Sequence, residues 1–299
     1  MGTHELLRGL VTLEQLAALD LTLWFGSGAA AGLALHINQS TVSRHIQKVL
    51  RLLGLRLVRP WGSVQLRGDL SLLQAERWVH QMARFKGLCP LRVDGTYASG
   101  PWFLNQAPQG WMVGRFDLPG AHVPLQLLRD RVIDAWVGSY QPDLPRSDDP
   151  DWWVLDLVRE PVHLLSAPDH PLAGESGISQ GDLERFPSLA LPSGWFPRTE
   201  TILRAQGLWR SPVDLPRYDP SSWEGRCSDQ VTLAYGQSLT ELLQPGTVRL
   251  DWQLGLLTGE ALVVRRDLMD QPAIQELSGL LRGKARKIAM RLTDVEVAA

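Results

Sequence analysis

Seven polar side chains on one helix-sized stretch are spaced so that they could act together. Residues 36–54 read HINQSTVSRHIQKVLRLLG and contain no carboxylate. Val42, Ile46, Val49, Leu50 and Leu53 recur at the spacing of a single buried helix stripe. Gln39, Ser40, Ser43, Arg44, Gln47, Lys48 and Arg51 then share the opposite face. Cations on such a face attract a phosphate backbone, and an acid among them would repel it. Serine and glutamine can reach base edges, and arginine can grip a base or the backbone. Gln39, Ser40 and Ser43 are the candidates for base edges or nearby phosphates, Arg44 for a base or the backbone, and Lys48 for phosphate. The competing reading is an ordinary solvated helix face.

The neighbouring elements must hold that face in place. TLEQLAALDLTLWF (12–25) has Thr12 as N-cap, Gln15 at the capping-box position and leucines near helical spacing. Ser27 caps a short second helix, GAAAGLAL, whose small residues allow close approach to a neighbour. After a turn at His36-Ile37-Asn38, Asn38 caps the third helix and Gly54 ends it. A short helix, a tight turn and a longer polar-faced helix describe a helix-turn-helix. LRLVRPWGSVQL (55–66) follows as two extended segments around Pro60-Trp61-Gly62, a wing that places Arg56 and Arg59 beside a phosphate backbone. DLSLLQAERWVHQMARFKG (69–87) reads as a further helix, capped by Asp69 or Ser71 and stopped at Gly87. Leu72, Leu73, Ala75, Val79, Met82 and Ala83 could form its apolar seam, suited to pairing with a second copy or to packing on its own domain.

Charge divides the chain the same way. The net charge is −2, yet residues 1–68 hold seven basic residues against three acidic ones, and no acid occurs between Asp20 and Asp69. A basic module on an acidic body suggests that the first part meets a polyanion and the second does not. At 299 residues, two or three domains are expected. No apolar run is long enough to span a membrane, and the start lacks a signal-peptide core, which points to the cytoplasm. Cys89 and Cys227 show no metal or redox spacing and read as reduced thiols. His170 lies in a proline-bounded surface signature, the twelve tryptophans read as core or interface bulk, and no metal or cofactor is implied. The sequence displays no nucleophile-base pair and no phosphate-binding glycine loop, so no enzyme is expected.

From Leu91 the pattern alternates between strand and helix, which favours an α/β body. LRVDGTY, WMVGRF, DAWVGSY, PVHLLSAP, SLALPSG and ALVVRR are strand candidates. VPLQLLRDR, SQGDLERF, RTETILRAQG, SDQVTLAYGQSLTELLQ and PAIQELSGLLRG are helix candidates, and QPDLPRSDDPD (141–151) is an exposed loop.

These residues together resemble the LysR-type transcriptional regulators. The family's helix-turn-helix pattern is matched by Ser27, Ala31, Leu35, Gln39, Ser43, Ile46 and Leu53-Gly54, with Gly32 where a second alanine is usual. His170 to Ala173 matches the family's His-Pro-Leu-Ala signature, and the segment from Gly236 to Pro245 its glycine, short helix and proline. Departures include Leu50 in place of a glutamate, Val58 and Pro60 at the wing entry, Arg67-Gly68-Asp69-Leu70 at the linker start, and a shortened unit from Leu91 to Trp111.

The resemblance implies an α/β protein in three parts. A winged helix-turn-helix would occupy residues 1–68 and a linker or dimerisation helix 69–88. A two-lobed effector domain like the periplasmic binding proteins would occupy 89–299, with lobe I at about 91–163 and 262–292 and lobe II at about 164–260. Its implied partners are double-stranded operator DNA, a small-molecule effector in the inter-lobe cleft, and further copies of itself as a homodimer or homotetramer. Candidate effector contacts are Thr96, Tyr97 and Ser99 after the first strand, Ser139 at the hinge, and Ser193, Gly194, Arg198 and Thr199 in the second lobe. Hydroxyls and N–H groups at a helix start suit an organic acid or another oxyanion, although the same residues could serve only as caps and turns. The alternative function is a small-molecule binding protein of this fold with lost or effector-independent DNA binding.

Overall fold

The computed structural model describes residues 11–58, 64–106, 108–139, 141–213, 215, 217–219, 229–241 and 246–298. Arg59, Pro60-Trp61-Gly62, Trp223 and Cys227 lie outside them. The chain forms two compact units. One comprises 1–93, 109–115 and 126–134, and the other 94–108, 116–125 and 135–299.

The first unit begins with α1 (Leu13–Phe25), α2 (Gly28–Leu35) and α3 (Gln39–Leu53), each started by the expected residue. Thr12 and Gln15 form a reciprocal capping box, Ser27 caps α2, and Asn38 caps α3 by accepting the Thr41 N–H at 2.8 Å. His36 closes α2 with φ of 56°, a left-handed conformation that makes the turn tight. At Gly32 a Cβ would lie 2.7 Å from the Ile37 carbonyl oxygen, so this close turn excludes the alanine usual there. Leu16, Leu19, Val49, Leu53, Leu55 and Leu73 form the buried core, and Leu50 packs against it. Fully burying each such leucine contributes on the order of 2 kcal/mol.

Strands β1 (Arg56–Val58) and β2 (Gln65–Arg67) pair antiparallel as the wing. Helix α4 (Ser71–Phe85) follows. Neither expected cap satisfies it from the N-cap position. Leu70 stands there, and the Asp69 carboxylate instead accepts the Ser71 N–H at 2.9 Å. Nor do the expected seam residues share a face. Leu73 is buried, while Leu72 and Val79 are exposed, and the buried face is completed by Arg77, His80, Gln81 and Arg84.

Strand β3 (Leu91–Gly95) runs from the first unit into the second. After α5 (Ser99–Phe103), β4 (Trp111–Val113) pairs with β3 in parallel, Leu91 opposite Trp111. The shortened strand-helix unit is therefore present, with a helix of only five residues. Helix α6 (His122–Arg129) and strand β5 (Ala135–Gly138) come next.

The second unit is organised by two long strands, β6 (Trp152–Ser166) and β10 (Val248–Arg265), each continuing well beyond its expected segment. They pair antiparallel from Trp152–Arg265 to Ser166–Val248, with register shifts along the way. Between them in sequence lie α7 (Gln180–Leu183), β7 (Leu189–Ala190), α8 (Pro197–Arg204) and β8 (Ser211–Pro212), with β7 and β8 parallel. The stretch expected to be helical at SDQVTLAYGQSLTELLQ is instead strand β9 (Ala234–Gly236) followed by the short α9 (Ser238–Glu241). β9 pairs with β6, and its backbone bonding to that strand overrides the weak helical pattern. Helix α10 (Pro272–Ala289) buries Ile274, Leu277, Leu281, Ala285 and Ile288 as one stripe, and β11 (Glu296–Val297) pairs with β6. Among the described residues, no helix is long and apolar enough to cross a membrane.

Candidate nucleic-acid interface and ligand cleft

The α3 surface emerges as its spacing predicts. Gln39, Ser40, Ser43, Arg44, Gln47, Lys48 and Arg51 are all exposed, while Val42, Val49 and Leu53 are buried. The Arg44 guanidinium donates to Thr41 Oγ1 at 2.9 Å, which steadies it at the start of the helix. The Ser40 hydroxyl donates to Asn38 Oδ1 at 2.7 Å, so it is tied into the cap. Gln15, Arg44, His45 and Lys48 line a small depression of about 230 Å³ beside this face.

The wing adds a residue that sequence reasoning left out. Arg56 is directly opposite Arg67 across the β1–β2 pair, and both are exposed. Facing like charges destabilise a two-stranded ribbon unless an anion lies against them. The signal was present in the sequence as an arginine on each arm of the wing, but only the register shows that they are neighbours.

In the second unit, three of the expected cleft residues meet. Thr96 Oγ1 hydrogen-bonds Ser139 Oγ and lies 3.0 Å from Ser99 Oγ, which donates to the Val137 carbonyl at 2.7 Å. The Ser139 hydroxyl donates to Glu260 Oε2 at 2.5 Å, and Gln237 Nε2 donates to Glu260 Oε1 at 3.0 Å. Glu260 is fully buried on β10, and Glu160, buried on β6, lies close by in the same ladder, opposite Thr258. Burial pushes both carboxyls up to about 8, and the neighbouring Glu160 charge adds to the effect on Glu260. Neither glutamate nor Gln237 was a candidate from sequence, because the isolated strand pattern does not reveal which acids are enclosed. Tyr97 stacks on Tyr218, ring centres 3.8 Å apart.

The other four candidates form a separate group at α8. The Arg198 N–H donates to Asp143 Oδ1 at 2.7 Å, and the Thr199 N–H and hydroxyl donate to Asp143 Oδ2 at 3.0 and 2.6 Å. The Arg198 guanidinium holds the Pro142 carbonyl at 2.7 Å. Ser193 and Gly194 are exposed, with the Gly194 N–H 3.4 Å from Glu200 Oε2. The helix start does bind a carboxylate, but it is one supplied by the chain itself.

A three-helix module with a two-stranded wing, followed by an α/β body built on two long paired strands, defines a winged helix-turn-helix joined to a second, α/β domain. Residues 117–220 match the model of the LysR substrate binding domain. A probable nitrogen assimilation transcriptional activator of Synechococcus elongatus is 30% identical over 203 residues, covering 61% of this chain. The chain spans 64% of that relative's length. A full-length OxyR variant from Pseudomonas aeruginosa is 19% identical with a TM-score of 0.56, over 92% of this chain and 95% of its own. Full-length CbnR, solved in complex with target DNA, is 15% identical with a TM-score of 0.54, over 92% of this chain and 100% of its own. The chain is thus similar to LysR-type transcriptional regulators, through the substrate binding domain matched at residues 117–220 and through the fold of the full-length structures.

Proposed function

We propose that the protein is a DNA-binding transcription regulator. Its oligomer reads duplex DNA through α3, and its arrangement responds to a small ligand bound in the α/β body. The observation that carries this reading is the exposed, carboxylate-free face of α3 beside paired wing arginines. Gln39, Ser43, Arg44 and Gln47 would meet base edges from the major groove, while Ser40, Lys48, Arg56, Arg59 and Arg67 meet phosphates. The similar CbnR structure was solved on its target DNA, which supports this placement by analogy. No reaction forms part of the reading, and a DNA-binding role puts the protein in the cytoplasm.

Pairing of copies is supported by the inverted character of α4. Leu72, Trp78 and Val79 are each more than half exposed, while the helix buries charged and amide side chains. Apolar residues left on the outside of a helix are best covered by a second copy, as a homodimer or a homotetramer. Two copies would present two α3 helices to half-sites about one helical turn apart. For the ligand, an organic acid or other oxyanion fits the start of α8, because the N–H groups there donate to a carboxylate. Thr96, Tyr97, Ser99 and Ser139 would contact it from the opposite side of the cleft. The domain limits 1–68, 69–88 and 89–299 serve as the functional division.

The test uses duplexes selected on the full chain from a random-sequence pool. Arg44→Ala lowers affinity for them about tenfold, within the roughly 1–3 kcal/mol of one specific base contact, and leaves the circular dichroism spectrum unchanged. Wild-type binding weakens steeply as salt rises. Equal affinity of the variant, or failure to enrich any duplex, would remove the reading.

A further inference from the structure

The described lysines and arginines of the second unit fall into two groups. Most reach a carboxylate or a carbonyl, as Arg159 does on Asp156, Arg217 on Asp117, Arg249 on Glu241 and Lys284 on the Phe103 carbonyl. Four do not. Arg282, Arg286 and Lys287 on α10, and Arg291 just past its end, are exposed and have no acid or carbonyl partner among the described residues. Residues 282–291 contain no carboxylate, in a body where acids outnumber cations.

Helix electrostatics accounts for only part of this. Cations favour the last turn of a helix, and Arg286 and Lys287 stand there. Arg282 lies about two turns before the end, beyond the reach of that effect. The Lys284 ammonium is lowered by burial first and by the Lys287 charge second, so positive potential builds up here without an acid to offset it.

Two glycines complete the surface. Gly279 and Gly283 lie inside α10, where glycine weakens a helix relative to alanine. A Cβ at either would meet nothing within 4 Å, so packing does not require them. At helical spacing Gly279 adjoins Arg282, and Gly283 adjoins Arg286 and Lys287. The bare helix backbone is a shallow floor between cations, a shape that admits close approach of another polymer. Arg282 to Lys287 spans about 7.5 Å of helix axis. A duplex strand carries one charge per about 3.4 Å, so the three cations can meet about two or three successive phosphates.

We infer that the C-terminal half of α10 is a second DNA-backbone surface, holding duplex that flanks the site read by α3. Its contacts are to phosphate, so it adds affinity without sequence preference. The acidic body then has a place where a polyanion is not repelled. This role presupposes the DNA-binding reading above, and the two are measured separately.

The experiment compares two duplexes on the full-length chain, the selected site alone and the same site extended by several helical turns of random sequence on each side. Wild type binds the extended duplex about tenfold tighter than the short one. A variant with Arg282→Gln, Arg286→Gln and Lys287→Gln keeps good helix formers on an exposed face, so its Tm and its affinity for the short duplex match wild type. It loses most of the gain from flanking length, and its salt slope on the extended duplex is shallower by about one for each phosphate contact removed. Should the triple variant fail to fold, Arg282→Gln alone reads the same loss on a smaller scale. Arg44→Ala weakens both duplexes and keeps the gain from length. Equal gain and equal slope in wild type and the α10 variant, with Arg44→Ala still weakening both duplexes, would overturn the surface alone. Retention of wild type but not the variant on immobilised poly-glutamate, with duplex binding alike, would overturn it too and assign the face to an acidic protein. If no duplex is selected, random duplexes of the two lengths replace the pair. A length-dependent gain lost in the variant then supports the surface while the α3 reading fails, and no difference sinks both.

Discussion

Each compact unit buries carboxylates, and the two do so by opposite means. In the first unit Asp20 and Asp134 are surrounded by guanidinium groups. Arg84 grips Asp134 with two bonds of 2.8 Å, and Gln81 and the Arg92 N–H add bonds of 2.9 Å each. Arg77 Nε donates to Asp20 Oδ1 at 2.9 Å; its Nη2 lies 2.8 Å from the same oxygen but without a well-aimed N–H. Burial draws Arg92 down to about 10, still well above neutrality, so this guanidinium keeps its charge. In the second unit Glu160 and Glu260 are as deeply buried, but their bonds come from uncharged donors. Glu260 receives Ser139 and Gln237, and Glu160 receives the Leu239 N–H at 3.3 Å while its Oε1 has no partner among the described residues. A carboxyl without a cation keeps its proton. The first arrangement makes a fixed joint between α1, α4 and residues 126–134, whereas the second can change charge within an ordinary range of pH.

Breaking the joint gives the largest expected effect. Arg84→Ala removes the guanidinium that grips the buried Asp134, at a cost of about 3–5 kcal/mol. Urea unfolding of the full chain would measure it as a lowered midpoint. A loss below about 1 kcal/mol would mean that water reaches Asp134 once Arg84 is gone, and that the contrast between the units is weaker than drawn.

The protonated pair sharpens the same contrast through pH. Both glutamates have raised values when folded, so the folded chain holds protons that the unfolded chain releases between roughly pH 4.5 and 8. Their contribution to stability is full below the unfolded value and is lost as pH climbs toward about 8. The slope is at most about 1.4 kcal/mol per pH unit for each group. Glu260→Gln supplies a neutral amide that accepts from Gln237 and donates to Ser139. It should fold normally at pH 7 and flatten the decline measured from pH 5 to 8. An undiminished slope in the variant would assign the titration elsewhere.

What could be read in advance follows from the range of each interaction. Thr12, Ser27, Asn38 and Gly54 act within a few residues, so the helices they bound were legible, and so was the polar face of α3. The ion pairs join residues about fifty positions apart, and nothing local marks Asp20 or Asp134 as enclosed. On α4 the expected seam mixed Leu72 with Leu73, neighbours that a helix turns to different faces. The buried side there is charged, which a search for apolar spacing passes over. At β9 the run VTLAYG suits either a strand or a buried helix, and pairing with β6 decides it. Thr96, Ser99 and Ser139 were placed near one another by the loops after their strands, yet the acid they lead to comes from β10.

The one-turn pair on α8 supplies the third case, a sheltered carboxylate whose arginine partner is open to water. Glu200 and Arg204 are one turn apart, with Nε to Oε1 at 2.9 Å and the arginine side chain 53% exposed. Water solvates the arginine almost as well as the glutamate does, so such a one-turn helix pair contributes only about 0.3–0.5 kcal/mol. Arg204→Ala should therefore shift the urea midpoint barely beyond error, and salt should weaken even that shift. A loss approaching that of Arg84→Ala would show that pairing itself, rather than enclosure of the acid, sets the size of the effect. The contrast between the two units would then have to be rebuilt on geometry instead of solvent.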